Sequence, residues 1–159
     1  MLHFAYGSNM SVPMMRRRCP AARLEGRALL AGYRVIITRE GYASILSAPG
    51  GRVHGVLWRL TPRDLAALNA YENLGELYRA VTMTVVGNRR RVAALVYVGR
   101  SQARGRPRRG YMDIVTAAAR EAGLPPCYVR DLARLAKGVS KPGRYARAAK
   151  PRRVSSHGE

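Results

Sequence analysis

The sequence predicts an α+β fold in a single domain, and two observations support this. Segments with the period-two pattern of strands and segments with helical periodicity follow one another in the order strand, helix, strands, helix, strands, helices. The chain has 159 residues, of which 47% are hydrophobic. This is enough for one domain with a core of its own, and no internal repeat divides the chain.

The first predicted strand covers residues 2–6, where three large apolar side chains alternate with His3 and Ala5. This alternation predicts a strand that is packed mainly on one face. The strand ends abruptly in a turn of small residues.

That turn consists of Gly7, Ser8 and Asn9. A turn of this kind exposes backbone N–H groups, and glycine lets them approach a ligand without a Cβ in the way. It can therefore hold an oxyanion or a carboxylate. The same three residues are also ordinary turn formers, so both interpretations stay open on the turn alone.

Further along the chain, the remaining segments complete the order of elements. A short helix is predicted over residues 11–18, ended by Pro20. Further strands are predicted at residues 27–38, 43–47, 53–59, 77–86 and 91–98. The last two of these strands are joined through a GNRR turn, and together they predict a hairpin.

A second helix is predicted to begin at Thr61, which is a good N-cap. Pro62 suits the first helical position, and Asp64 favours the positive start of a helix. The apolar face of this helix contains Leu65 and Leu68.

Glu72 follows those two leucines at i+7 and i+4 spacing, so it shares their face if the helix continues that far. The carboxylate would then point towards the core, where burial and the negative end of the helix raise its pKa and suit it to proton transfer near neutral pH. If the helix frays by Asn69, Glu72 lies in solvent. Periodicity alone leaves both outcomes open.

Two more helices are predicted after Gly110. The first ends at Gly123, and the second begins near residues 125–126. Their predicted buried stripes are Tyr111, Ile114, Val115, Ala118 and Ala122 in the first, and Tyr128, Leu132 and Leu135 in the second.

The sequence gives no sign of a metal or another cofactor. The two cysteines, Cys19 and Cys127, and the three scattered histidines have no metal-ligand or redox spacing, so we expect reduced thiols. No apolar run approaches the roughly 20 residues of a membrane span, and no signal-peptide pattern opens the chain. We therefore expect a cytoplasmic protein without a membrane partner.

The formal net charge of +20 comes from 26 arginines and 3 lysines against 9 acidic residues. A basic surface often marks a nucleic-acid partner, because phosphates release counterions when arginines approach. The arginines are spread along the chain as well as clustered at residues 100–109 and 141–153. Coding bias or attraction of an anionic substrate would explain them equally well. We predict a domain at 1–138 and a basic, disordered tail at 139–159.

Four segments in order resemble the gamma-glutamylcyclotransferase family. They are residues 4–10 (FAYGSNM), 55–60 (GVLWRL), 71–79 (YE, then LYR) and 111–125 (YMDIV to AGLP). The resemblance covers about residues 2–136, and it leaves the basic tail outside.

The resemblance implies a mixed, barrel-like sheet with flanking helices and a site at its mouth. It also implies an enzyme that releases an amine or amino acid from a gamma-glutamyl amide while the glutamyl part closes to 5-oxoproline. Glu72 is then the general acid/base, with no cofactor. The substrate-binding residues carried over are Tyr6, Gly7, Ser8, Asn9, Tyr78 and Tyr111.

One departure from the family pattern concerns residues 104–110 (RGRPRRG), where proline and small polar residues are expected. This loop leaves the rim of the pocket open, and with it the identity of the released group. Ser8 has no evident base or triad, so we treat it as a positioning residue. The alternative function is a catalytically inactive, basic nucleic-acid-binding protein on the same scaffold.

Overall fold

A closed barrel of five strands forms the centre of the protein. The computed structural model describes residues 1–137. The strands are β1 (Leu2–Ala5), β2 (Arg23–Ile37), β3 (Ala43–Arg59), β4 (Tyr78–Gly87) and β5 (Arg90–Gly99), adjacent in the order β1-β3-β2-β4-β5. Neighbours are antiparallel except β1 and β5, which pair in parallel at His3 and Leu95 and close the barrel. The predicted α+β fold with a mixed, barrel-like sheet is confirmed.

Within the described residues 1–137, four helices accompany the barrel. They are α1 (Val12–Arg18), α2 (Pro62–Tyr71), α3 (Tyr111–Glu121) and α4 (Pro126–Ala136). A 3-10 turn over Ser8–Met10 links β1 to α1. Within residues 1–137, none of the helices is long and apolar enough to cross a membrane. The predicted tail at 139–159 lies outside the described residues.

The predicted hairpin is confirmed by β4 and β5, which pair from Tyr78 opposite Gly99 to Gly87 opposite Arg90. Its two central residues, Asn88 and Arg89, have φ angles of 52° and 61°. Positive φ at both positions is what a tight two-residue hairpin turn with right-handed strand twist requires.

The expectation that β1 packs mainly on one face is wrong. His3, Phe4 and Ala5 are all buried. The strand lies between β3 and β5 in a closed barrel, and the ring of Tyr97 packs edge-on against His3 with centroids 5.3 Å apart. Both faces of β1 are therefore buried from His3 to Ala5.

The two strands predicted at 43–47 and 53–59 are one continuous strand, β3, so the predicted break is wrong. The register against β2 passes from Ala31 opposite Arg52 to Tyr33 opposite Ser47. The irregular stretch of residues 48–51 thus lies opposite Gly32 alone, whose φ is 82°. This stretch, which contains Pro49, Gly50 and Gly51, is a large bulge of four residues opposite one. It does not end the strand, because the residues on both sides of it keep their partners in β2.

In α3, the predicted buried stripe is correct for Val115 and Ala118 but wrong for Ile114, which is 38% exposed. Ile114 instead lines a cavity at the mouth of the barrel. The first turn of α3 therefore borders the cavity, whereas the later turns pack against the core.

Candidate active site

A cavity of about 480 Å³ opens where β1 ends. It lies beside the 3-10 turn, the end of α2 and the start of α3. Its lining contains all the site residues named from the sequence: Tyr6, Gly7, Ser8, Asn9, Glu72, Tyr78 and Tyr111.

The turn after β1 forms the inner wall of the cavity. The N–H groups of Met10 and Ser11 donate to Gly7 O and Ser8 O, both at 3.0 Å. These bonds close the turn with later residues, so they leave the N–H groups at its beginning to other partners. From β3, the indole Nε1–H of Trp58 donates to the Asn9 carbonyl at 2.9 Å, which ties the turn to the barrel.

Position 7 requires glycine because of a close approach. A Cβ at Gly7 would lie 2.9 Å from Tyr111 Oη and 3.5 Å from Ala43 Cβ. Any side chain there would push the turn or the Tyr111 hydroxyl out of place. The glycine in the sequence motif thus has a physical reason in the geometry of this wall.

Helix α2 delivers the acid to the cavity. It begins as predicted, with a capping box in which Asp64 N–H donates to Thr61 Oγ1 and Thr61 N–H donates to an Asp64 carboxylate oxygen. It ends at Tyr71, so Glu72 is the C-cap residue. Glu72 keeps right-handed angles, with φ −74° and ψ 0°, and its N–H donates to Leu68 O at 2.9 Å. The carboxylate therefore stays on the side of the buried Leu68.

Glu72 is half-buried and bonded to the turn. The Asn9 side-chain amide donates from Nδ2 to Glu72 Oε1 at 2.5 Å. Burial raises the pKa of Glu72 above its usual range, while the Asn9 hydrogen bond and the charge of Arg18 pull the pKa in the opposite direction. A carboxyl group in this environment is better suited to exchange protons near neutral pH than an exposed one.

Arg18, the last residue of α1, is a further residue of the site that was not predicted from the sequence. Its guanidinium donates to Asn9 Oδ1 and, at 2.5 Å, to the hydroxyl of Tyr71, with Cζ 3.6 Å from the Tyr71 ring centroid. Because Arg18 occupies Oδ1, the Nδ2 group of Asn9 faces Glu72. Arg16 and Arg17 precede it, and nothing in the spacing singles out the third arginine.

The other two tyrosines meet at one peptide group. Tyr78 Oη donates to the Ala43 carbonyl at 2.9 Å, and the Ala43 N–H donates to Tyr111 Oη at 3.2 Å. Burial raises the pKa of Tyr78 well above its usual value and that of Tyr111 to about 12. Both phenols are therefore neutral at physiological pH.

Tyr6 and His3 contribute from the barrel interior. Tyr6 Oη donates to the Tyr97 carbonyl at 2.6 Å, so its hydroxyl is bonded within the barrel while its residue lines the cavity. His3 Nδ1 lies 3.1 Å from Leu95 O, and burial lowers the pKa of His3 to about 4. The imidazole is thus neutral. Among residues 1–137, no three His, Cys, Asp or Glu side chains come together as a metal site.

The rim is formed by residues 108–110, the last part of the arginine-rich loop at 104–110, with Arg108 and Arg109 in the cavity lining. Arg108 N–H donates to Gly41 O at 3.1 Å, and Tyr111 N–H donates to Arg108 O at 3.0 Å. These bonds hold the loop between the β2–β3 connection and α3. The resemblance led us to expect this loop at the rim of the pocket, and the structure places residues 108–110 there.

Fold and cavity together define an α+β barrel protein with an acid and a glycine turn facing each other at the barrel mouth. A family model described as gamma-glutamyl cyclotransferase, AIG2-like, matches residues 3–114. The chain belongs to this family.

Similar proteins agree with that assignment. Gamma-glutamylcyclotransferases of Bos taurus and Homo sapiens are 27% and 26% identical over 143 residues, with 82% of this chain and 76% of each relative covered. A solved structure of a gamma-glutamyl cyclotransferase has a TM-score of 0.78 at 23% identity, covering 94% of this chain and 93% of that one. The YkqA protein of Bacillus subtilis has a TM-score of 0.76 at 26% identity, covering 89% and 56%.

Proposed function

We propose that this protein is an enzyme of the gamma-glutamylcyclotransferase type. It converts the glutamyl part of a gamma-glutamyl amide to 5-oxoproline and releases an amine or amino acid. The observation that carries the proposal is the pairing of Glu72 with Asn9 at 2.5 Å, inside the cavity where β1 ends. The names of the relatives, gamma-glutamylcyclotransferase, support the same activity.

The substrate supplies its own nucleophile. Its α-amine can reach the γ-carbonyl carbon and close a five-membered ring, and a well-held intramolecular attack of this kind has an effective molarity of about 10⁵ M or more. A cavity of about 480 Å³ is of the size that encloses a small ligand. Holding the glutamyl chain in a folded form is therefore much of the catalysis.

Glu72 moves the proton. Its carboxylate takes a proton from the α-ammonium, and the amine nitrogen then forms the bond to the γ-carbonyl carbon. When the bond from that carbon to the leaving nitrogen breaks, the protonated Glu72 gives its proton to the departing amine. The ring nitrogen then still carries one proton more than the neutral lactam, and the ionised Glu72 takes this second proton and passes it to the released amine, which leaves as an ammonium ion. The raised pKa of Glu72 suits both transfers, and the Asn9 bond to Oε1 leaves Oε2 for them.

The turn and the two phenols assist. Negative charge develops on the carbonyl oxygen during attack, and backbone N–H groups of Gly7, Ser8 and Asn9 stabilise it. Tyr78 and Tyr111, neutral and fixed on Ala43, orient the glutamyl group by hydrogen bonds. Ser8 remains a positioning residue, since its hydroxyl meets Arg18 at 3.5 Å and no base.

The test is an assay of the purified full chain on a panel of gamma-glutamyl amides, with 5-oxoproline and the freed amine measured separately. The proposal predicts equal amounts of both products from at least one compound. A panel without 5-oxoproline would contradict it. The non-catalytic alternative predicts that outcome, together with nucleic-acid binding that weakens steeply as salt rises.

A further inference from the structure

The rim of the cavity carries two positive charges that the proposed chemistry does not use. Arg108 and Arg109 are exposed, and both line the cavity. The only ion pairs within residues 1–137 are Arg59 with Glu25 and Arg134 with Asp131. Neither rim arginine is therefore neutralised by a carboxylate in the described part of the chain.

Arg108 is held in a defined orientation. Its Nε–H donates to the Glu40 carbonyl at 3.0 Å, and its guanidinium carbon lies 4.8 Å from the ring centroid of Tyr42. The loop below it is fixed as well, because Gly105 N–H donates to Ile37 O at 3.0 Å. With Nε bonded, the two terminal nitrogens of Arg108 are left for a ligand, and such a fork pairs well with a carboxylate.

The remaining charge in the cavity lies deeper. Glu72 is the one acidic side chain among the lining residues, all of which are described, and its Oε1 is bonded to Asn9. A cationic group at the rim would meet two arginines, and no acid other than Glu72 lines the cavity. An anionic group would meet two guanidinium groups without a competing partner.

We infer that Arg108 and Arg109 form a subsite for the group released from the substrate, and that the preferred substrates are gamma-glutamyl amides of acidic amino acids. This rests on the proposed function. The α-carboxylate of the released amino acid and its side-chain carboxylate supply one negative charge for each guanidinium. Because the arginines lie at the exposed rim, they contact the part of the substrate that extends outward from the reacting carbonyl.

The test compares gamma-glutamyl-glutamate with gamma-glutamyl-glutamine, which has nearly the same shape but one charge fewer. For exposed charge pairs, we expect kcat/KM to favour the glutamate compound by about 2- to 5-fold at low salt. The ratio should fall as salt is added. Gamma-glutamyl-ε-lysine, in which the lysine side-chain amine forms the amide and the lysine keeps a free α-ammonium group, should have a lower kcat/KM than either compound.

Arg108→Gln and Arg109→Gln should each lower kcat/KM. The variant that loses the partner of the side-chain carboxylate should lose the preference for the glutamate compound, whereas the variant that loses the partner of the α-carboxylate should be impaired on both compounds. Arg120→Gln is the matched control, because Arg120 is exposed on α3 and outside the cavity lining. Two results would overturn the subsite: equal kcat/KM for the two wild-type substrates, or equal losses on both substrates in both variants. The second result would mean that the arginines bind the glutamyl group's own carboxylate.

The two proposals fail in different ways. If the wild-type protein forms 5-oxoproline from both compounds without preference, the subsite is refuted and the proposed function stands. If it forms none from any compound, the proposed function is contradicted and the subsite with it.

Discussion

On the inner wall of the cavity, polar side chains are bonded to other parts of the protein, whereas the rim arginines are exposed and have no ion pair in residues 1–137. Asn9, for example, is buried and bonded to both Glu72 and Arg18. Arg109 lies in the loop between β5 and α3, and it forms no ion pair with any carboxylate of the described residues. Groups fixed on several sides keep one geometry, whereas exposed charges without an ion pair are available to a ligand. We therefore assign the chemistry to the wall and the choice of released group to the rim.

Gly7→Ala should have the largest effect on the inner wall. The added Cβ meets Tyr111 Oη at 2.9 Å, so the turn or the phenol must move. A displacement of this size in a catalytic wall is expected to lower kcat/KM about 100-fold. Thermal unfolding should show a lower Tm as well. The loss of Tm should be smaller when Gly7→Ala is made in a Tyr111→Phe background, and full activity in Gly7→Ala would contradict the tight wall.

Arg18→Gln should have the next largest effect, about a tenfold fall in kcat/KM at neutral pH. The change removes the cation that pulls down the pKa of Glu72, so that pKa rises further and less carboxylate is ionised at a given pH. The acid limb of the pH profile of kcat/KM should therefore move to higher pH. Arg17→Gln, at an exposed neighbouring position, should leave the profile in place. An unmoved acid limb in Arg18→Gln would show that Arg18 does not act on Glu72.

Trp58→Phe tests how the wall is tied to the barrel. It removes the indole donor to the Asn9 carbonyl and leaves a small void at a residue that is 2% exposed. We expect the free energy of unfolding, measured in urea, to fall by about 1–3 kcal/mol. A variant as stable as the wild type would mean that this bond does not hold the turn.

A smaller effect on stability is expected from the buried charge itself. The pKa of Glu72 is raised in the folded protein, so its contribution to stability is present below the usual pKa of 4.5 and is lost as pH rises through the folded value. Glu72→Gln should therefore have a higher Tm than the wild type at neutral pH, and the difference should disappear at acidic pH. A Tm difference that does not change with pH would contradict the burial of this charge.

The smallest effect should come from the rim. Arg108 is exposed and makes its contacts through a backbone carbonyl and a ring face. Arg108→Gln is expected to change the free energy of unfolding by less than about 0.5 kcal/mol. A large loss of stability would mean that the rim is as firmly built as the wall, which would remove the contrast between them.

Local signals in the sequence were sufficient for much of the wall. The strand into Gly7, the capping residues Thr61 and Asp64, and the face shared by Leu68 and Glu72 all depend on nearby residues. The structure places β1 and the capping residues as predicted. Of the two outcomes left open for Glu72, it shows the one in which Glu72 lines the cavity, although the helix ends one residue before it. Such features need no knowledge of distant parts of the chain, because caps and periodicity act within a few turns.

Long-range features could not be predicted. Arg18 is one of three consecutive arginines, and only the packing of α1 beside α2 brings it to Tyr71. The continuity of β3 depends on its pairing with β2 across a Pro-Gly-Gly stretch that normally ends a strand. Ile114 follows the helical stripe but faces the cavity, since periodicity reports a face and not what lies opposite.

The most direct test of the proposed mechanism compares the two acidic residues near the end of α2. Glu72 lies in the cavity, whereas Glu76 is exposed and accepts a hydrogen bond from Asn73 at 2.6 Å. The measurement is the rate of 5-oxoproline formation by Glu72→Gln and Glu76→Gln on the best substrate, with substrate binding followed by calorimetry. We predict that Glu72→Gln binds substrate but loses at least about 100-fold in kcat, and that Glu76→Gln matches the wild type. Wild-type turnover in Glu72→Gln would contradict the assignment of Glu72 as the proton carrier.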